Sequence, residues 1–165
     1  MCLFNFIKFE QIEEENALMG YRNWRLSINE ALVLKSESQE YTWLPIISGP
    51  HEVLESNSGI YAYNYNYNNY YYNNNNYYYN NYNISGIIKQ YGKTAIHKIG
   101  QRSEYAKIDK LFTIRLSDAI EEERFLAWAK EFNTRIEEVA KLYEASTISW
   151  QDFIEEINKR KVEEK

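Results

Sequence analysis

The amino-acid sequence predicts an α+β protein: a small bent antiparallel β-sheet or partial barrel followed by two or three C-terminal helices. Large and polar side chains alternate at residues 21–27, and further short β-type runs follow before residue 115, which is typical of strands. Glycines at Gly86, Gly92 and Gly100 punctuate short β-type runs, as bulges and tight turns require. After residue 115 the apolar residues change to helical spacing. We expect one domain over residues 1–165, with a β-rich module over 1–115 and a helical segment over 116–165.

The strand signals occur on both sides of a low-complexity tract. Residues 21–27 alternate in character and residues 31–34 are apolar, so the two segments together predict a β-hairpin. A further strand is predicted at Gly59–Tyr63. Beyond the tract, β-type runs are predicted at 87–88, 94–99 and 105–112.

Three capping patterns mark helix starts in the last third of the chain: Asp118 with Glu121, Thr134 with Glu137, and Ser149 with Asp152. The second pattern predicts a helix break near Asn133. The third predicts a final helix whose apolar side begins at Trp150.

Residues Asn64 to Asn83 are asparagine and tyrosine only. Two residue types cannot supply the varied shapes of a close-packed interior, so we expect an expanded connection, outside the core, between two strands of one module. Two alternatives stay open: an ordered Tyr/Asn hairpin that extends the sheet, and an adhesive segment that drives self-association.

Charge is unevenly distributed along the chain. The net charge is −5, but residues 84–115 contain seven basic and two acidic residues. A basic middle of this kind predicts either an anion-binding face or a charged strand surface balanced by acidic helices. The candidate anion-binding residues are Lys89, Lys93, Lys98, Arg102 and Lys107.

His51 and His97 are the two histidines of the chain, and Arg102 and Glu104 follow His97 closely. Such a set suits general acid–base cleavage of a phosphodiester, with arginine stabilising the developing charge. The alternatives are a packed histidine and a structural ion pair between Arg102 and Glu104. No metal-ligand spacing, phosphate-cradling loop or nucleophile elbow is present, so we predict no metal or cofactor and favour a non-enzymatic protein.

Several motifs keep a common order and spacing. They are Trp24-Arg25, Trp43 with Pro45, His51, Gly59-Ile60-Tyr61-Ala62, Gly86-Ile87-Ile88, Gly92 with His97, and Gly100 with Arg102, Ala106 and Ile108. In these the chain resembles a family of small, uncharacterised bacterial and phage proteins, over about residues 20–115. The resemblance implies a compact β-rich module and a phage or mobile-element context. It implies no reaction.

The chain departs from that family pattern in two places. Ser56-Asn57-Ser58 stands where the family has Cys-x-Cys, which argues against a metal or redox role here. The Asn/Tyr tract fills a connection that is shorter in the family.

These observations predict a non-enzymatic binding module. The expected partner is a protein, with nucleic acid at the basic strands as an alternative. A small hydrolase using His97, Arg102 and Glu104 is the second hypothesis, and self-association through the tract is the third. No apolar run approaches the ~18 residues of a membrane span. Cys2 has no second cysteine to pair with, which favours the cytoplasm.

Overall fold

The computed structural model describes residues 5–27, 34–36, 43, 47–54, 58–64, 81–118 and 123–163. Within these residues it has seven strands: β1 (Phe6–Ile12), β2 (Leu18–Ser27), β3 (Ile47–Ser48), β4 (Ile60–Tyr63), β5 (Asn81–His97), β6 (Gly100–Thr113) and β7 (Ser146–Ser149). The two helices are α1 (Glu123–Leu142) and α2 (Trp150–Glu163). Short 3₁₀ turns lie at Glu14–Asn16 and Leu116–Asp118. The predicted α+β class, with a bent sheet and two C-terminal helices, is confirmed. The predicted order is wrong at β7, which is a strand inside the segment 116–165 that the sequence predicts to be helical.

The sheet closes on itself. β5 pairs with β2 on one side and with β6 on the other, and β4 pairs with both β6 and β2. The contact between β4 and β2 is the single pair Tyr63 and Tyr21. These pairings form a ring of four strands, so the structure is a partial barrel. β1 adds to β5 and β3 adds to β6, all antiparallel. β7 pairs with β6 in parallel, which makes the sheet mixed.

Glycines permit the strong bend of β5. The pairing of β5 with β6 shifts register between Ile87 and Ile88, and again between Tyr91 and Thr94. Gly92 lies in the second shift with a φ of +84°, and a Cβ there would crowd the side chain of Glu104. A side chain at Gly86 would meet the carbonyl oxygen of Lys110 on β6. The runs predicted on either side of these glycines are therefore parts of one continuous strand.

Polar side chains fill part of the ring. Gln90 and Gln101 are almost completely buried. The Gln90 amide nitrogen donates to the carbonyl of Ile60 at 2.8 Å and to the hydroxyl of Ser103 at 3.1 Å. The Gln101 amide nitrogen donates to the side-chain oxygen of Gln90 at 2.7 Å and to the carbonyl of Met19 at 3.2 Å. These hydrogen bonds link β2, β4, β5 and β6. They favour one register of the strands, because another register would leave buried polar groups without partners, which is costly.

The main core lies between the ring and α1. Residues of the helix that are spaced three or four apart are buried against the strands, as its apolar stripe predicts; they are Trp128, Phe132, Ile136 and Val139. Tyr143, just beyond the end of the helix, is buried with them. The Tyr143 hydroxyl accepts the N–H of Leu34 at 3.0 Å and donates to the carbonyl of Trp43 at 2.9 Å. This hydroxyl fixes two distant segments of the chain to the end of α1.

A smaller core lies under α2. Ile87, Phe112 and Phe153 are buried together. The hydroxyl of Ser149 accepts the N–H of Asp152 at 3.1 Å, which confirms the predicted start of the final helix. Two interactions lower the pKa of the Asp152 carboxyl: a hydrogen bond with Ser149, and the guanidinium of Arg115.

The predicted helix break near Asn133 is wrong, because α1 runs without interruption from Glu123 to Leu142. Asn133 instead lies within the helix and bonds to the backbone of Ile114. Its amide accepts the N–H of Ile114 and donates to the carbonyl of the same residue, both at 2.8 Å. The side chain thus bonds to the backbone just beyond β6 as a neighbouring strand would. The Thr134 hydroxyl donates to the carbonyl of Lys130, one turn back, and forms no cap.

The end of the Asn/Tyr tract belongs to the fold. Asn81, Tyr82 and Asn83 lie in β5, paired with Ser27, Leu26 and Arg25 of β2. Tyr82 is 2% exposed and its ring packs on Trp128 and Phe132 at 5.9 and 5.3 Å. The expectation that the whole tract lies outside the core is therefore wrong for Tyr82. Residues 65–80, on which the alternatives of a hairpin and an adhesive segment depend, lie outside the described residues.

We expect Tyr82→Ala to lower the free energy of unfolding by about 3 kcal/mol, because it leaves a cavity between β5 and α1. Replacement of residues 65–80 alone by a short Gly-Ser linker should change it by less than about 1 kcal/mol, since closure entropy depends weakly on loop length. Urea unfolding followed by tryptophan fluorescence measures both. Equal losses for the two variants would contradict the assignment of Tyr82 to the core.

Candidate functional site

Four side chains form a row across four strands on the outer face of the sheet. Met19 of β2 is paired with Lys89 of β5, Lys89 with Lys107 of β6, and Lys107 with Ile47 of β3. Residues directly opposite in an antiparallel pair project to the same face. We call these four side chains the lysine row. Adjacent strands are about 4.8 Å apart, so the row spans roughly 14 Å.

The lysine row faces solvent. Met19 is 49% exposed and Ile47 is 37% exposed. Lys89 is exposed and Lys107 is half-buried. The neighbouring positions in the same register have the opposite orientation, since Gln90, Ala106 and Ser48 are buried. The alternation identifies the row as the outer surface of the barrel.

Two structural features bound this surface along the strands. On one side, Tyr91 and Tyr105 are paired across β5 and β6 and stack at 5.2 Å with an angle of 12° between their rings. Burial raises the pKa of the Tyr91 hydroxyl, and the carboxylate of Glu14 raises it further. On the other side, the outer face at Ile87 is covered by the core under α2.

The electrostatics of the row are unbalanced. Like charges directly opposite in a sheet repel each other. Within the described part of the chain, no carboxylate forms an ion pair with Lys89 or Lys107. The nearby carboxylate of Glu104 is directed to the bulge of β5, where it accepts the N–H of Lys93 at 3.2 Å. An anionic group bound between the two lysines would remove this repulsion.

The structure separates the five candidate anion-binding residues. Lys89 and Lys107 form the centre of the row. The Lys93 ammonium lies 4.6 Å from the centre of the Phe9 ring, on the part of β5 that pairs with β1. Lys98 is exposed where β5 turns into β6. Arg102 is buried, so it does not contribute a solvent-facing charge.

Arg102 and His97 form a buried clasp. The Arg102 Nε–H donates to Nε2 of His97 at 3.0 Å, and its Nη1 donates to the carbonyls of Leu54 and Ser58 at 2.8 and 2.6 Å. Arg102 is 1% exposed and His97 is 5% exposed. A buried guanidinium whose donors meet carbonyl oxygens and an imidazole is a structural group that ties the chain around 54 and 58 to β6.

The proposed acid–base residues come together only in part. His97 and Arg102 are in contact, but the Glu104 carboxylate bonds to the backbone of Lys93. The His51 side chain is exposed, and its backbone N–H donates to the carbonyl of Glu104 at 2.9 Å. Arginine stabilises reaction charge only where substrate can reach it. The hydrolase hypothesis stays a prediction, and this geometry does not favour it.

Four residues of this face were not predicted from the sequence: Met19, Ile47, Tyr91 and Tyr105. A local signal exists for the tyrosines, since each lies two positions from a lysine on the same strand, in Lys89-x-Tyr91 and Tyr105-x-Lys107. Met19 and Ile47 have no comparable signal. Their place in the row depends on pairings with strands distant in sequence.

Comparison with family models, with curated proteins and with solved structures finds no match to this chain. The resemblance to a bacterial and phage family therefore stays a prediction. In the part of the chain that the structure describes, neither helix combines the length and apolar character needed to cross a membrane. Nor do three or more side chains of His, Cys, Asp or Glu form a metal-binding cluster among those residues.

We expect Arg102→Met to lower the free energy of unfolding by about 3 kcal/mol, because it removes the donor to Nε2 of the buried His97 and to the partly buried carbonyls of Leu54 and Ser58. Lys98→Met, at an exposed site on the same hairpin, is the matched control and should change stability by less than about 0.5 kcal/mol. Thermal and urea unfolding measure both. An Arg102→Met protein as stable as the control would show that the clasp is not structural.

Proposed function

We propose that this protein is a non-enzymatic interaction module that binds a protein partner through the lysine row. The observation that supports this most directly is the row itself: two adjacent lysines without an ion-pair partner among the described residues, flanked by an exposed methionine and an exposed isoleucine. Exposed apolar side chains beside unbalanced charge are a common composition for a docking surface. The proposed setting is the cytosol, as the single cysteine favours.

The partner would be an acidic segment with apolar side chains on either side. One or two carboxylates would lie between Lys89 and Lys107, where they relieve the repulsion. Apolar side chains would pack on Met19 and on Ile47, at opposite ends of the roughly 14 Å row. Four or five residues of extended chain cover this distance.

A protein partner fits this face better than nucleic acid. The chain has a net charge of −5, and the row contributes only two cations. Phosphate contacts supply most of the affinity for nucleic acid, so two lysines give weak binding. The rings of Tyr91 and Tyr105 stack on each other, which occupies one face of each ring that a base would need.

We expect Lys89→Glu to raise the free energy of unfolding by roughly 0.5–1 kcal/mol in low salt, because it converts a repulsive cross-strand pair into an attractive one. The gain should disappear in about 1 M NaCl, where surface charges are screened. Lys130→Glu, at an exposed position of α1, is the control and should show no salt-dependent gain. A loss of stability in Lys89→Glu that salt does not change would contradict the proposed repulsion.

Selection of a random 12-residue peptide display library on the protein should enrich peptides with one or two acidic residues between apolar ones. Fluorescence anisotropy of an enriched peptide should show binding that Lys89→Glu with Lys107→Glu weakens at least about tenfold, since each carboxylate would then meet like charge. Lys130→Glu should bind as the unchanged protein does.

Three results would overturn the proposal. They are the enrichment of no acidic peptide, equal binding by the double variant, and tight binding of a fluorescent 20-nucleotide single-stranded DNA that the double variant loses. The last result would assign the row to nucleic acid, and its affinity would then fall steeply with salt.

A further inference from the structure

β1 lies at one end of the sheet. Among the described strands it pairs with β5 alone, from Phe6 opposite His97 to Ile12 opposite Gly92. Every residue from Ile7 to Gln11 is exposed, although the segment includes two large apolar side chains. Ile7 is 59% exposed and Phe9 is 40% exposed. A strand edge of this kind has backbone groups available for pairing with another chain.

The exposed Phe9 ring is held in place. It lies 5.0 Å from the ring of Phe6, and the Lys93 ammonium lies 4.6 Å from its centre. Phe6 in turn contacts the ring of the buried His97. An apolar group that is both exposed and fixed loses little conformational entropy when a partner covers it.

Phe9 has a positive charge on one side of it along the strand and a negative charge on the other. Lys8 and Glu10 flank the phenylalanine on the strand and contact each other at 3.6 Å, with 60% and 47% of their side chains exposed. If a second copy of β1 lies antiparallel to the first with Phe9 opposite Phe9, each Lys8 faces a Glu10. Both ion pairs and the aromatic pair then form in one register, because a two-fold axis through Phe9 exchanges positions 8 and 10.

We propose that two copies of this chain associate through their β1 edges, in the antiparallel register centred on Phe9. This pairing joins the two sheets through β5, β1 and their counterparts in the second copy. A shift of one residue in either direction would place Phe9 opposite a charged side chain and separate Lys8 from Glu10. The charge pattern therefore selects a second copy in one register, where an edge with charges of one sign would repel itself.

This dimer is weak. The exposed segment of β1 has five residues, from Ile7 to Gln11. A strand of that length buries less area than a standard stable interface, so we expect dissociation constants in roughly the micromolar to millimolar range. The site is separate from the lysine row, and its test does not depend on the proposed binding function.

Charge reversal provides the test, measured by sedimentation equilibrium over a concentration series up to about 1 mM. The unchanged protein should be in equilibrium between monomer and dimer. K8E should weaken dimerisation at least about tenfold, because both cross-strand contacts become repulsive, and E10K should do the same. An equimolar mixture of K8E and E10K should form heterodimers, since the acidic edge of one variant faces the basic edge of the other.

The controls distinguish loss of the β1 contact from misfolding and from association through the Asn/Tyr tract. Circular dichroism should show that both variants fold, and the double variant K8E with E10K should dimerise as the unchanged protein does. Replacement of residues 65–80 by a Gly-Ser linker should leave dimerisation unchanged. The proposal is wrong if the unchanged protein stays monomeric at about 1 mM, if K8E dimerises equally well, or if the mixture of variants stays monomeric.

Discussion

The pairing of β5 with β6 is the constraint on which the rest of the sheet depends. β1 and β2 attach to β5, while β3, β4 and β7 attach to β6. β5 is long enough to pair with several strands because two of its residues, Gly86 and Gly92, allow close approach to β6 and register shifts without ending the strand. Both core clusters are built on residues of this pair, with α1 over one and α2 over the other.

Ring closure adds a second constraint, and it is polar. Gln90 and Gln101 are buried inside the barrel, where their amides bond to each other and to carbonyls of β2 and β4. An incorrect register would leave these amides unpaired in a low-dielectric interior, which is costly. The same register places Met19, Lys89, Lys107 and Ile47 in one row on the outside. The interior network and the outer surface are thus two consequences of one strand alignment.

The two proposed surfaces lie on different parts of the sheet. The lysine row crosses its middle, whereas the β1 edge is its end, so the two proposed interactions would not compete for the same residues. The third polar cluster, His97 with Arg102, is buried and holds the chain around residues 54 and 58. Arg102 and Lys89 lie in the same basic stretch of sequence, but Arg102 is buried and Lys89 is exposed.

The sequence by itself determined what depends on short-range pattern. Local pattern predicted strand segments within β2, β4, β5 and β6, but not β1, β3 or β7. Helical spacing predicted the stripes of α1 and α2, and Ser149 with Asp152 predicted where α2 begins. It also indicated that residues 84–115 are basic. Tertiary structure alone decided which of those cations face solvent, that Asn133 bonds to Ile114 within an unbroken helix, and that Tyr82 is core. Each of these outcomes depends on contacts between residues far apart in the chain, and local periodicity contains no information about such register.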